Sequence, residues 1–135
     1  MNKLAHWVDL PARLLMASIF IVSGIVKLTL SSAMQHYMES YGVPGVLVWP
    51  AAAFELSTGV LLIIGLWVRP ASILLAGWCL LTASIFHTAW GDPTQLMMFF
   101  KNMVMAGGFL ILFKHGASRF ALDAWRYVEK HDLSR

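Results

Sequence analysis

Residues 46–67 read VLVWPAAAFELSTGVLLIIGLW, and this stretch decides the fold. It holds a single ionisable group, Glu55. As a helix rising 1.5 Å per residue, a run of this length reaches about 33 Å, enough to cross a hydrocarbon layer about 30 Å thick. A helix of a soluble domain would need a polar face along that length, and no such face is present.

Three more apolar runs flank it: Leu10–Leu30, Pro70–Trp90 and Leu96–Phe113. Pro11 and Pro70 stand where helices begin, because a helix's first turn has no use for the missing N–H. Asp9 and Arg13, four apart, are expected to pair at the start of the first run. The polar stretch 31–45 carries Gln35, His36, Tyr37, Glu39 and Tyr41, and its first part reads as a short interfacial helix. Gly42–Val43–Pro44–Gly45, Arg69–Pro70 and Gly91–Asp92–Pro93–Thr94 are turns. Such short loops predict an all-α, integral membrane, antiparallel four-helix bundle, one domain over residues 1–135. In residues 117–131, Phe120, Ala121, Ala124, Trp125 and Val128 recur at helical spacing, with Arg119, Arg126, Glu129 and Lys130 mostly off that stripe. This predicts an amphipathic surface helix.

Composition agrees. The chain is 59% hydrophobic and 13% charged, with a mean hydropathy of +0.68. A soluble domain is about half apolar and about a quarter charged. The net charge of +3 comes without a basic stripe interleaved with aromatics, so nucleic acid is not expected as a partner. Cys79 is the single cysteine, which excludes an internal disulfide, a Cys-X-X-Cys redox pair and a thiolate cluster within one chain. Asp9, Arg13 and Lys27 argue against a cleaved leader in the first run.

Lys and Arg set the orientation. Lys3, Lys114, Arg119, Arg126, Lys130 and Arg135 flank the spans at the two ends, and Arg69 lies in the middle turn. The other two loops carry only Glu39 and Asp92. Both termini are therefore expected on the cytoplasmic side of a bacterial inner membrane. Trp7, Trp49, Trp67, Trp90 and Tyr41 fall near run ends, as an aromatic belt would.

Ionisable groups inside spans are costly and usually face the interior of a bundle. Lys27, Glu55, His87 and Lys101 with Asn102 each come from a different run, all toward the outer half of the bilayer. Arg13, Ala17, Phe20, Gly24 and Lys27 share one helical face, as do Ala52, Glu55 and Gly59. Ala76, Leu80, Ala83 or Ser84, and His87 are expected to share a third, and Met98, Lys101, Met105 and Gly108 a fourth. On that reading Lys27, Glu55, His87, Lys101 and Asn102 form a polar ligand site. The plain alternatives stand beside it. Lys27 can snorkel, His87 can be interfacial, and a Glu55–Lys pair can simply lock helices. Met97, Met98, Met103 and Met105 read as packing, and no metal is expected.

The sequence also resembles the DoxX family. The resemblance rests on Arg13-Leu14-Leu15, Ser23-Gly24-Ile25-Val26-Lys27-Leu28, Gly42-Val43-Pro44-Gly45, and Phe54-Glu55-Leu56 with Gly59. It continues through Leu62-Ile63-Ile64-Gly65, then Arg69, His87, and Phe100-Lys101-Asn102 with Gly107-Gly108. It covers about residues 8–115 and is especially close to small stand-alone inner-membrane members. The family takes its name from a small subunit of a thiosulfate:quinone oxidoreductase, and other members are similar to membrane partners of redox-defence enzymes. The resemblance thus implies a four-helix membrane protein linked to quinone or thiol redox chemistry.

Three functions follow as expectations. The first is a quinone-interacting, redox-associated subunit in which lysines and His87 hold a head group and Glu55 handles protons. The chain offers no electron carrier of its own, so a soluble redox partner or a bound quinone is implied. The second is a membrane anchor that recruits a soluble redox enzyme through the tail helix. The third is a small transporter built as a homo-oligomer.

Overall fold

The computed structural model describes residues 3–118 and 120–132. The described residues are all-α, with helices α1 (Lys3–Thr29), α2 (Ser31–Ser40), α3 (Val48–Ile64), α4 (Val68–Phe86), α5 (Pro93–His115) and α6 (Leu122–Asp132). A 3-10 turn, Gly45–Leu47, leads into α3. Four segments are long and apolar enough to cross a bilayer: Trp7–Thr29, Gly45–Ile64, Val68–Phe86 and Pro93–His115. The expected all-α, four-span class holds. The chain forms two compact units, Met1–Trp67 with Ala117–Arg135, and Val68–Gly116.

In the first unit α1 packs against α3. The pair is antiparallel: Arg13 near the start of α1 reaches the carbonyl of Leu62 near the end of α3, and Lys27 near the end of α1 reaches Glu55. Gly24 makes the close approach possible. A Cβ there would fall 2.5 Å from Leu56 Cγ and 3.3 Å from the Ala52 carbonyl oxygen. Ala17, Phe20, Ala52 and Leu62 are buried on the facing sides, while Leu15, Ile19, Val22 and Val60 point outward as lipid-facing residues should. Residues 31–40 form α2, as expected.

Boundaries differ from the sequence reading in instructive ways. α1 starts at Lys3, so Pro11 lies inside the helix and not in its first turn. The cost is one missing backbone bond, to the carbonyl of Trp7, at the exposed end of the span. α3 stops at Ile64 because Gly65 takes the left-handed conformation, φ 71°, that closes a helix. α4 begins two residues before Pro70, which keeps that proline in the first turn.

In the second unit α4 packs against α5, again antiparallel, since Arg69 in the first turn of α4 donates to the Lys114 carbonyl near the end of α5. α4 ends at Phe86, short of Trp90. α5 starts at Pro93, earlier than Leu96, because the Asp92 carboxylate caps the Thr94 N–H at 2.8 Å and Pro93 occupies the first helical position. Two faces also need correction. Val68, Ala71, Ser72, Leu75, Ala76, Cys79 and Ala83 form the buried stripe of α4, leaving Leu80 exposed. On α5 the buried residues are Ala106, Phe109 and Leu112, and Asn102 falls in register with them, whereas Met98 and Lys101 are exposed. A lipid-facing surface is as apolar as an interior one, so hydropathy periodicity does not separate the two.

The tail differs most. α6 starts at Leu122, five residues later than expected, because the segment before it is held by α1 and the end of α3. Arg119, and the side chains of Lys3, Val128, Glu129, Lys130 and Arg135, lie outside the described residues.

Candidate functional site

Two polar clusters join α1 to neighbouring segments of the first unit, and they differ in chemistry. The first is the expected meeting of Lys27 and Glu55. The Lys27 ammonium donates to both carboxylate oxygens, at 3.1 and 2.9 Å, and to the Ser23 hydroxyl at 2.7 Å. An ammonium has three donors, and each faces an oxygen. The two side chains are 18% and 5% exposed, so the pair is withdrawn from water without being sealed. Sequence register explains the encounter. Ser23 and Lys27 are one turn apart on α1, and Lys27 is two residues from its end at Thr29. Glu55 is seven residues beyond Val48 on α3, about 10 Å along the helix.

The second cluster was only half legible. Asp9 and Arg13 do pair, at 3.0 Å, yet the arginine is fully buried. It also donates to the carbonyls of Leu62 at 2.8 Å and Ile63 at 3.3 Å, and to the carbonyl of Phe120 at 2.8 Å. Leu62 and Ile63 lie in the last turn of α3, where carbonyls lack partners within the helix and where a cation is favoured. Asp9 in turn accepts from both the backbone N–H and the hydroxyl of Ser118. Past the end of α3, Trp67 donates its N–H to the Asp123 carboxylate, and Gly65 accepts from the Asp123 N–H. One buried guanidinium thus joins α1, the end of α3 and the tail. The signal available in the sequence was that Arg13 shares a face with Ala17, Phe20 and Gly24; its backbone acceptors leave no mark on residue identity.

The remaining candidates belong to the second unit. His87 lies just past the end of α4, half-buried, with its Nδ1 2.8 Å from the Gln95 side-chain oxygen. That contact orients the imidazole ring against the amide. Gln95 was not singled out by sequence. Asn102 donates to the Met98 carbonyl at 3.0 Å within its own helix, and Lys101 is exposed.

Outside the spans, Tyr37 of α2 and Tyr41 just beyond it form a tilted aromatic pair, with ring centroids 5.1 Å apart and planes at 57°. Partial burial, then the hydrogen bond and charge of Tyr41, push the Tyr37 hydroxyl up to about 12. His36 Nδ1 is 3.6 Å from Glu39 in an exposed position.

Comparison with known proteins gives a consistent assignment. The DoxX family profile matches residues 8–88. The chain is 36% identical over 123 residues to the inner membrane protein YqjF of Escherichia coli K12, covering 91% of this chain and 95% of that protein. It is 32% identical over 119 residues to the inner membrane protein YphA of the same organism, covering 83% and 85%. No solved structure matches. A profile match over more than half the chain, with relatives aligned along most of their length and the four spanning segments in place, means that the chain belongs to the DoxX family.

Proposed function

We propose that this is an inner-membrane, redox-associated subunit, with both termini in the cytoplasm, whose Lys27–Glu55 pair exchanges protons with a quinone head group. The names of the two relatives support the membrane assignment. The pair itself carries the functional reading. The Lys27 ammonium contacts the Glu55 carboxylate and the Ser23 hydroxyl, all of them side-chain oxygens. A carbonyl oxygen of a quinone can take the place of Ser23 on the ammonium, and Glu55 can deliver or receive the proton that reduction or oxidation requires. The electrons come from a partner enzyme, since quinone reduction takes two electrons and two protons and this sequence holds no carrier for them. His87, Lys101 and Asn102 stay candidate ligand contacts on the strength of their chemistry.

Titration of the purified chain in nanodiscs with a short-chain ubiquinone analogue tests the proposal. Wild type is expected to bind saturably, with Glu55→Gln and Lys27→Met each weakening binding at least about tenfold. The same titration on His87→Ala and Lys101→Ala assigns or dismisses those side chains. Absence of saturable binding by wild type would remove the reading. The anchor reading puts function in α6 instead, and would leave a Glu55→Gln protein active with its partner.

A further inference from the structure

We propose that α6 is a lipid-surface helix, docked on its own chain at a depth fixed by the joint around Arg13, and that what covers its apolar flank is the boundary between acyl chains and head groups. This goes beyond the quinone reading and does not depend on it.

The depth follows from two separate ties to span ends. Trp7 lies on α1 three residues before the apolar run that begins at Leu10, and the Phe120 ring packs on it with centroids 5.3 Å apart. Trp67 lies three residues beyond the end of α3, and its N–H is held by Asp123 at 2.9 Å, in the first turn of α6. The Arg13 bond to the Phe120 carbonyl lies between these ties. The first turn of α6 therefore starts where two spans leave the hydrocarbon. A segment tied this closely is not free to reach into the cytoplasm.

The exposed side chains suit that level. Leu122 and Trp125, three apart and so on one flank of the helix, are 45% and 73% exposed, and Phe120 is 48% exposed. Aromatic rings with an apolar body and a polar edge collect at this boundary. The charges argue against electrostatic attraction as the driving force. α6 carries Asp123, Glu129 and Asp132 against Arg126 and Lys130, so anionic lipid gains little over neutral lipid. Insertion of apolar side chains remains as the main contribution.

Nitroxide labels test this in the full chain, with Cys79→Ala to remove the native thiol. Labels are placed through Trp125→Cys and Arg126→Cys, and the protein is reconstituted in phosphatidylcholine vesicles and in vesicles that also contain phosphatidylglycerol. The label at 125 is expected to be several-fold more accessible to oxygen than to a water-soluble nickel complex. The label at 126 is expected to show the reverse, with no difference between the two lipids. Equal access of the nickel complex to both labels would overturn the proposal and place α6 in water, as recruitment of a soluble enzyme requires. Adding Arg13→Gln is expected to erase the contrast between 125 and 126 while spanning helix content is kept. If that variant does not insert, Ser118→Ala with Asp123→Asn tests the joint by the same readout. A contrast that survives loss of the joint would overturn its role in setting depth.

Discussion

The two polar clusters of the α1–α3 unit make an informative contrast. At one end, Arg13 binds mostly backbone carbonyls and is fully buried. At the other, Lys27 binds only side-chain oxygens and keeps some exposure. Backbone acceptors cannot be withdrawn without unwinding the chain, so the first cluster is a joint. Side-chain acceptors can rotate away, so the second can trade a partner for a ligand. Both are ionic, and both lie on one face of one helix, but the acceptors determine what each can do.

The contrast is broken most severely at the joint. Arg13→Gln leaves Asp9 without its cation and three carbonyls short of a donor. We expect a loss of about 4 kcal/mol in unfolding stability, read by circular dichroism during denaturant titration in micelles. A loss below about 1 kcal/mol would mean the guanidinium is not a joint. Glu55→Gln comes next. It leaves an ammonium beside a neutral amide, and we expect about 3 kcal/mol, at the low end for a broken buried pair because Lys27 retains a path toward water. Gly24→Val should cost about 2 kcal/mol through overpacking against Leu56. A near-neutral result there would show that α1 and α3 can separate at little cost.

These contrasts also show what a sequence reveals. The four spans were legible because lipid demands about 20 apolar residues and the chain supplies them four times. The Lys27–Glu55 meeting was legible because charge in a span demands a partner, and because Ala17, Phe20, Gly24 and Lys27 share the facing side of α1. The joint was not legible as such. Asp9 and Arg13 at four-residue spacing look like an ordinary surface pair, and the carbonyls of Leu62, Ile63 and Phe120 carry no sequence signature. Leu80 and Met98 were expected on inward faces and are exposed, because lipid and protein interior are equally apolar.

The smallest expected effect lies outside the spans. The folded protein holds the Tyr37 proton more tightly than the usual phenol, up to about 12 against 10.0. Its contribution to stability is therefore complete below pH 10 and is lost as the pH rises from 10 toward 12, because the unfolded chain gives up the proton first. Tyr37→Phe should remove that part of the alkaline loss, measured as the unfolding midpoint against pH.

The account rests on the Lys27–Glu55 pair being a ligand site and not a clamp, and the double variant Lys27→Met with Glu55→Leu separates the two most directly. Replacing a buried ion pair by apolar side chains of similar size is close to neutral for stability. The predicted result is a protein that unfolds within about 1 kcal/mol of wild type yet no longer binds the quinone analogue. A double variant that binds the analogue as wild type does would contradict the account.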